Sequence, residues 1–353
     1  MPLSLEGIIE AMSIKAFICG CEGTQLNADE REFLYSYKPA GLILFSRNVE
    51  SKEQLKRLCA DFRKAVGRLD APVLVDQEGG RVQRLKPPVW EKYPPAGLYG
   101  KLFEYDQDLA KRGAFLGAYL IGRDLAEVGI SMNCLPVLDV PIKGASNVIG
   151  DRAYSDLPET ISTLGNEVIR GSLAAGITPV MKHMPGHGKA LVDSHEHLPI
   201  VEATRSELEK SDFIPFTRLN NCPFAMTAHI VYKSLDSERP ATQSKTIISE
   251  VIRGYLGFEG CLMSDDVSMK ALGSNMKDRV GKLFDAGCDL ALHCNGNMGE
   301  MQAVAEASPE LTGQSLQRFQ AGIKSDNSTP AMELDVLFNE YNNILSVAKS
   351  YSS

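Results

Sequence analysis

From Ile14 onward, short apolar runs rich in β-branched residues alternate with segments that carry one apolar face. Such runs are typical of buried strands, and apolar residues three and four apart are typical of amphipathic helices. Leu55, Leu58, Cys59 and Phe62 show the helical spacing clearly. The strands predicted in this way lie at residues 14–19, 41–45, 72–76, 133–139, 178–182, 224–229, 261–265 and 289–294, the fourth being the least regular.

The ends of the predicted helices carry recognisable signals. Asn27 with Glu30, and Thr204 with Glu207, have the spacing of capping boxes. Further helices are predicted at residues 109–128, which Gly129 closes, from Pro158 to about residue 175, and at 244–256. Strands and helices therefore alternate along almost the whole chain.

This alternation predicts an α/β fold, a single-domain (β/α)8 barrel of the TIM type. The alternative is an open doubly wound sheet, which needs a glycine-rich turn after its first strand. Gly20-Cys21-Glu22-Gly23 is a poor version of such a turn, and no linker-like stretch divides the chain. We expect an N-terminal extension at residues 1–13, before a barrel at 14–353 that ends in a helix.

Composition limits the partners and the location of the protein. A net charge of -8 argues against nucleic acid, and no apolar run is long enough to predict a membrane span. The eight cysteines show no metal or disulfide spacing, so buried thiols in a reducing, cytoplasmic compartment are expected. Ile18-Cys19-Gly20-Cys21 resembles a lipoprotein cleavage box, but Glu6 and Glu10 precede it, with no positive charge before Lys15. Signal peptides have the opposite order of charges, so we do not expect this segment to direct export.

Polar and titratable residues concentrate where the predicted strands end. The densest stretch, from Lys182 to Pro199, holds four of the six histidines. In a parallel barrel the carboxyl ends of all strands share one face, so these residues predict a polar pocket. They are Asp76 to Arg84 after the third strand, Asp139, Asp151 and Arg152 after the fourth, Lys182 and His183 after the fifth, His229 after the sixth, Asp265 and Asp266 after the seventh, and His293 after the eighth.

Several of these residues have purely structural alternatives. Asp139 and Asp266 could cap the helices that follow them, and Arg81 could form a surface ion pair. The spacing of His183 and His187 is compatible with a metal site, but the intervening Pro185 and Gly186 prevent the helix that would place both on one face. We therefore predict no metal and no cofactor.

A strand-end carboxylate and a histidine close to a second carboxylate suit the cleavage of a glycosidic bond. That reaction needs one group to protonate the leaving oxygen and an anion to take the anomeric carbon. Neutral imidazole can serve as base and then as acid near neutral pH. Asp193, two residues before His195, could orient the imidazole ring and stabilise its charged form.

Five motifs follow one another along the chain. They are Gly41-Leu42-Ile43-Leu44-Phe45-Ser46-Arg47-Asn48, Val75-Asp76-Gln77-Glu78-Gly79-Gly80-Arg81-Val82-Gln83-Arg84, the stretch from Lys182 to Pro199, Met226-Thr227-Ala228-His229, and Met263-Ser264-Asp265-Asp266-Val267-Ser268-Met269. With these motifs in this order, the chain from Ile14 to about residue 300 resembles the bacterial β-N-acetylglucosaminidases of glycoside hydrolase family 3, the single-domain cytoplasmic type of peptidoglycan recycling.

The resemblance implies a role for each matching residue. Asp265 matches the nucleophile of a retaining mechanism, and His195 with Asp193 matches the acid/base dyad. The positions that hold N-acetylglucosamine are matched by Asp76, Arg84, Arg152, Lys182 and His183. The implied reaction releases terminal N-acetylglucosamine (GlcNAc) from GlcNAc-1,6-anhydro-N-acetylmuramic acid, with or without peptide, by a cytoplasmic monomer. A family-3 β-glucosidase, an N-acetylglucosaminide phosphorylase and a non-catalytic sugar-binding protein stay open as alternatives.

Overall fold

The computed structural model describes residues 13–142, 144, 148–190, 198–323 and 333–351. Within these residues, eight parallel strands close into a barrel in which strands that follow one another along the chain lie side by side. They are β1 (Lys15–Cys19), β2 (Pro39–Leu44), β3 (Val73–Val75), β4 (Met132–Asn133), β5 (Thr178–Met184), β7 (Phe224–Thr227), β9 (Cys261–Asp266) and β10 (Leu290–His293). A separate parallel pair is formed by β6 (Ile200–Val201) and β8 (Val231–Tyr232). The predicted barrel is confirmed.

Helices surround the barrel and follow most of its strands. They are α1 (Ala28–Tyr37), α2 (Lys52–Val66), α3 (Ala96–Tyr105), α4 (Gln107–Glu127), α5 (Pro158–Ala174), α6 (Arg205–Glu209), α7 (Phe213–Arg218), α8 (Met276–Ala286), α9 (Met298–Ala307), α10 (Gly313–Ile323) and α11 (Leu334–Ser350). Ile247–Tyr255 is π-helical, and short 3₁₀ turns lie at Ser46–Asn48, Gly150–Arg152, Ala241–Gln243 and Lys270–Leu272. Both predicted capping boxes are present, at the starts of α1 and α6. No helix in the described part of the chain combines the length and the hydrophobicity that a membrane crossing needs.

The fourth strand is much shorter than predicted. The sequence suggested residues 133–139, but regular pairing stops at Asn133. Pro136 has no backbone N–H to donate, so a continuous ladder cannot form across it. Pairing with β5 resumes irregularly, with Lys182 N–H donating to the Pro136 carbonyl and Leu138 N–H donating to the Lys182 carbonyl.

Alternate residues of each strand point inward and fill the barrel. Ile18, Ile43, Leu74 and Met263 belong to this interior layer and are almost fully buried. The amino-terminal end of the barrel is closed by α10, whose Phe319 ring meets the Phe224 ring edge to face, with 6.2 Å between the ring centroids. The carboxyl end is therefore the open end, where the polar residues lie.

The C-terminal helix α11 packs against the outer helices α3 and α4. Tyr341 on α11 and Tyr99 on α3 share a buried hydrogen bond of 2.5 Å between their hydroxyls. A Cβ atom at Gly117 would lie 2.4 Å from the Tyr99 hydroxyl, so this contact requires glycine on α4. This helix layer lies outside the barrel, with α11 on the far side of α3 and α4 from the strands.

Candidate active site

A polar cavity of about 240 Å³ opens at the carboxyl ends of the strands. Its wall is built from charged side chains that follow β3, β4, β5 and β9, together with a few apolar strand residues. The lining residues are Ile43, Asp76, Glu78, Arg81, Val82, Arg84, Val148, Arg152, Lys182, His183, His187, Met226, Asp265, Leu292 and Cys294. Six of the eight predicted site residues are thus brought together: Asp76, Arg84, Arg152, Lys182, His183 and Asp265.

Asp76 and Lys182 face each other across the cavity wall. Lys182 Nζ donates to Asp76 Oδ1 at 2.7 Å, and Arg84 Nη2 donates to Asp76 Oδ2 at 3.4 Å. Burial alone would raise the pKa of Asp76, but the positive charges of Lys182 and Arg84 hold it well below its ordinary value. Burial alone would lower the pKa of Lys182, but Asp76 and Glu78 raise it above its ordinary value. Both side chains are therefore charged at neutral pH.

Glu78 is a cavity residue that the sequence reasoning did not single out. Its Oε2 accepts from Arg152 Nε and its Oε1 from Arg152 Nη2, both at 2.8 Å, and Lys182 Nζ lies 2.7 Å from Oε1. The Glu78 side chain is only 5% exposed. The sequence signals for it were its position two residues after Asp76 and its place in the motif from Val75 to Arg84, neither of which assigned it a role. Glu78 fixes the guanidinium of Arg152 in the cavity wall by a two-point pair.

The loop after β3 is shaped by the buried side chain of Gln77. Its Oε1 accepts from the backbone N–H groups of Arg84 and Leu85, and its Nε2 donates to the Leu85 carbonyl. Asn133 on β4 accepts from Gln77 N–H and donates to the Gln77 carbonyl. These bonds fold the loop back on itself, so that Arg84 returns to the cavity.

Asp139 does not cap a helix; it organises the two histidines after β5. Its Oδ2 accepts from His183 Nδ1 at 2.7 Å, and its Oδ1 accepts from the His187 backbone N–H at 2.7 Å. Burial alone would raise the pKa of Asp139, but His183 and His187 lower it to about 2. An ionised partner keeps the proton on His183 Nδ1, so Nε2 is the ring nitrogen left for a ligand.

His187 lines the cavity beside His183, with 5.5 Å between the ring centroids. Burial and the neighbouring His183 lower the pKa of His187 to about 4, so its imidazole is neutral at pH 7. Among the described residues, no group of three or more His, Cys, Asp or Glu side chains is placed to hold a metal ion.

Asp265 lines the cavity near the end of β9, directly after the buried Ser264. Its Oδ1 accepts from the Asp266 backbone N–H at 2.8 Å. Burial alone would raise the pKa of Asp265, but His229, His183, that backbone N–H and Lys182 lower it. The side chain is therefore an anion at neutral pH, as a nucleophile requires.

Asp266 and Arg81 form structural contacts, although Asp266 does not cap a helix. Its Oδ1 accepts from Ser268 N–H in its own loop at 2.9 Å and from Cys294 N–H after β10 at 3.2 Å. Arg81 forms the predicted surface ion pair, with Asp151 at 3.3 Å, although it also borders the cavity. Asp266 thus holds the end of β9 in place beside Asp265.

Asp193 and His195 lie outside the described residues, within 191–197. The chain before them is described to Ala190, which is buried and donates its N–H to the His187 carbonyl. The chain after them is described from Leu198 and enters β6 at Ile200. The roles of this pair stay predictions from the sequence.

The described side chains can bind a small, uncharged, hydroxyl-rich molecule. Lys182, Arg84 and Arg152 supply donors, Asp76 and Glu78 supply acceptors, and opposite charges neutralise each other within the wall. Asp265 adds an anionic oxygen that can attack an electrophilic carbon of the bound molecule.

Known proteins are similar to this chain over most of its length. The glycosyl hydrolase family 3 N-terminal domain matches residues 7–340. A beta-hexosaminidase from Alkalilimnicola ehrlichii is 39% identical over 288 residues, 80% of this chain and 82% of that protein. A beta-hexosaminidase from Nitrosospira multiformis is 36% identical over 304 residues, 85% of this chain and 86% of that protein.

Solved structures give the same result at the level of the fold. NagZ from Neisseria gonorrhoeae in complex with N-trifluoroacetyl-D-glucosamine superposes with a TM-score of 0.84 and 27% identity, covering 94% of this chain and 98% of that one. A glycoside hydrolase family 3 beta-N-acetylglucosaminidase from a Paenibacillus strain superposes with a TM-score of 0.77 and 27% identity, covering 99% of this chain and 63% of that one.

Proposed function

The chain belongs to glycosyl hydrolase family 3 and is a β-N-acetylhexosaminidase of that family, and from this premise we propose that it is a retaining exo-β-N-acetylglucosaminidase. The proposed substrate is GlcNAc-1,6-anhydro-N-acetylmuramic acid, with or without peptide, as produced during peptidoglycan recycling. The observation that carries the proposal is the anionic Asp265 at one wall of a small cavity whose other walls are hydrogen-bonding side chains.

The size and chemistry of the cavity support the recognition of one terminal sugar. A cavity of about 240 Å³ has room for one terminal sugar ring, and the rest of the substrate would extend out of its open side. In the proposal, Asp76, Arg84, Arg152, Lys182 and His183 hold the hydroxyls and the acetamide. The related NagZ from Neisseria gonorrhoeae has been crystallised with N-trifluoroacetyl-D-glucosamine, which is a single N-acylated amino sugar.

The proposed reaction has two displacements at the anomeric carbon. In the first, an Asp265 oxygen forms a bond to C1, the bond from C1 to the leaving oxygen breaks, and His195 gives that oxygen its proton. In the second, water attacks C1, His195 takes a proton from the water, and the bond to Asp265 breaks, which restores both groups and the β configuration. Asp193 would orient the imidazole and stabilise its protonated form.

Histidine has a physical advantage over a carboxylate as the acid/base here. The cavity already contains the carboxylates of Asp76, Glu78 and Asp265. A further carboxylate close to Asp265 would couple to it by like-charge repulsion, which would raise one of the two pKa values. Histidine avoids this coupling, and it also admits an anionic acceptor such as phosphate.

The first experiment compares hydrolysis of 4-nitrophenyl β-N-acetylglucosaminide with that of the corresponding β-glucoside. We expect a strong preference for the N-acetylglucosaminide, since the acetamide adds contacts that the glucoside lacks. Preference for the glucoside would instead identify a β-glucosidase, and turnover of neither would favour a sugar-binding protein. GlcNAc-1-phosphate as the main product in phosphate buffer would identify a phosphorylase.

Two substitutions test the assigned roles. Asp265→Ala should abolish turnover but retain binding of GlcNAc, and an undiminished rate would remove the nucleophile assignment. His195→Ala should slow substrates with poor leaving groups most, because these depend on protonation of the leaving oxygen. Incubation with a chelator should leave the rate unchanged, and a loss that zinc restores would contradict the metal-free mechanism.

The natural substrate is tested with purified GlcNAc-1,6-anhydro-N-acetylmuramic acid beside chitobiose. The proposal predicts a higher kcat/KM for the anhydro disaccharide and release of free GlcNAc with retained configuration. Equal or better cleavage of chitobiose would argue for chitin fragments as the substrate class instead.

A further inference from the structure

Tyr232 contacts the chain on both sides of the segment that contains Asp193 and His195. Its hydroxyl donates to the Gly186 carbonyl, with 2.5 Å between the oxygens. Its backbone is paired with Val201 in the two-stranded sheet of β6 and β8. Gly186 precedes the segment and Val201 follows it, so one residue links its two ends.

Backbone hydrogen bonds reinforce the pairing at the far end. Val231 N–H donates to the Pro199 carbonyl, and Lys233 N–H donates to the Val201 carbonyl, both at 3.0 Å. This pair lies apart from the barrel sheet, and its strands have two residues each. A sheet this small adds little stability of its own. Its main effect is to fix the position of Pro199 to Val201, the residues that follow 191–197.

The near end has a second attachment through Lys189. Its ammonium donates to the buried carboxylate of Asp212 and to Ser211 Oγ at the start of α7. Gly186 packs against the same aspartate, since a Cβ atom there would lie 2.8 Å from Asp212 Cβ. Residues 186–190 are thus held against the body of the protein immediately before the segment begins.

The surroundings of Tyr232 keep its side chain buried and its hydroxyl protonated. Its side chain is fully buried and does not line the sugar cavity. Burial raises the pKa of Tyr232 well above its ordinary value, so the hydroxyl keeps its proton and remains a donor through the neutral range. Tyr232 therefore affects the reaction only through the chain it holds.

We propose that Tyr232 is a positioning residue for acid/base catalysis, because it sets where the chain leaves and re-enters the fold on either side of Asp193 and His195. This inference rests on the proposed function, in which His195 protonates the leaving oxygen. A proton donor displaced by about 1 Å can lose on the order of a hundredfold in rate. The effect of removing the Tyr232 hydroxyl should therefore depend on how much the leaving group needs that proton.

The test measures kcat/KM of Tyr232→Phe with two β-N-acetylglucosaminides that differ in the leaving group. Dinitrophenolate leaves without protonation, whereas 4-methylumbelliferone is a poorer leaving group that benefits from it. We expect a loss of about tenfold or more with the methylumbelliferyl substrate and a much smaller loss with the dinitrophenyl substrate. An equal loss with both substrates, or none with either, would overturn the proposal.

Tyr341→Phe is the matched control. It also removes one buried hydroxyl from a hydrogen-bonded pair, but in the outer helix layer against Tyr99. A general loss of stability would affect both variants alike and would not discriminate between leaving groups. A leaving-group dependence in Tyr341→Phe equal to that in Tyr232→Phe would overturn the proposal.

If Tyr232→Phe does not fold, a second variant tests whether attachment of the near end affects proton transfer. Lys189→Met removes the other attachment of the near end at a partly exposed position, and it keeps the length of the side chain. The same leaving-group dependence in Lys189→Met supports the proposal, and its absence overturns it.

His195→Ala distinguishes a failure of the positioning role of Tyr232 from a failure of the acid/base role of His195. If His195→Ala shows the leaving-group dependence but Tyr232→Phe folds and does not, only the positioning role fails. If His195→Ala itself shows no such dependence, the acid/base assignment fails and the positioning role fails with it.

Discussion

The ammonium of Lys182 lies 2.7 Å from a carboxylate oxygen of Asp76 and, at the same distance, from one of Glu78. Its side chain is only 3% exposed, so water contributes little to its solvation. In such a place the two carboxylates can both stay ionised because Lys182, which lies between them, neutralises their repulsion together with Arg84 and Arg152. Lys182 is therefore a structural requirement of the cavity, in addition to the sugar-binding role proposed for it.

Replacing Lys182 by Met should destabilise the protein by about 3 to 5 kcal/mol at pH 7, the usual cost of breaking a buried ion pair. The loss should be smaller at pH 5, because without the ammonium the two carboxyl groups titrate at higher pH and protonation relieves their repulsion. Urea denaturation at both pH values measures the difference.

Lys52→Met is the control for this prediction. Lys52 pairs with Glu127 at 2.8 Å, but both side chains are about one-third exposed or more. Such a surface pair contributes less than about 1 kcal/mol, so the control should show little change at either pH. Equal losses in the two variants would contradict the role assigned to Lys182.

Glu78→Gln should weaken sugar binding more than it slows the chemical step. The amide keeps the size of the side chain but removes the charge that holds the Arg152 guanidinium at two points. We expect KM and the inhibition constant of GlcNAc to rise about tenfold, since one misplaced charged hydrogen bond is worth about 1.5 kcal/mol or more. Steady-state kinetics with the nitrophenyl substrate give both constants.

Glu340→Gln provides the matched comparison for Glu78→Gln. Glu340 also forms a two-point pair with an arginine, Arg112, with both donor distances 2.7 Å, but on the outer helix layer. Its kinetic constants should equal those of the wild type. Unchanged KM and GlcNAc inhibition in Glu78→Gln would show that Arg152 does not depend on Glu78.

Much of the fold and of the cavity could be predicted from the sequence. Alternating apolar runs and amphipathic segments indicate a parallel barrel, and parallel strands bring their carboxyl ends to one face whatever the details of packing. For this reason Asp76, Lys182 and Asp265, which follow three different strands, could be placed together before any contact was known.

Residues whose importance comes from one particular contact could not be found in this way. Glu78 matters through Arg152, which is 74 residues away, and Tyr232 through Gly186, which is 46 residues away. Neither contact follows from periodicity, because it depends on the paths of the loops after the strands. The early end of β4 at Asn133 is a partial exception, since the missing N–H of Pro136 is visible in the sequence but the irregular pairing with β5 around it is not.

Asp139→Asn should reduce stability in a pH-dependent way. The pKa of Asp139 is lowered to about 2 in the folded protein, against about 3.9 for an ordinary aspartate. A group with a depressed pKa stabilises the fold above its ordinary pKa, and that contribution is lost as the pH falls towards the folded value. We expect a difference from the wild type of about 2 kcal/mol or more at pH 7 that shrinks below about pH 4.

Urea denaturation from pH 7 to pH 3 checks this prediction, with Asp108→Asn as its control. Asp108 is an exposed residue of the first turn of α4 that pairs with Lys111, so its replacement should have little effect at any pH. A stability difference for Asp139→Asn that stays constant down to pH 3 would show that Asp139 is not the group that titrates.

The pKa of Asp265 sets the acid side of the activity profile. Burial alone would raise it, but His229, His183, the Asp266 N–H and Lys182 together keep it below its ordinary value of about 3.9. Since only the ionised form could act as the proposed nucleophile, kcat/KM for the nitrophenyl N-acetylglucosaminide should show no acid inflection above about pH 4. On the alkaline side it should fall as His195 loses the proton that the leaving oxygen needs.

Initial rates from pH 3.5 to 9 give the profile, and reassay at pH 7 after each incubation separates titration from unfolding. A reversible acid inflection between pH 5 and 6 would mean that burial outweighs the surrounding positive groups, and the charge assigned to Asp265 would be wrong.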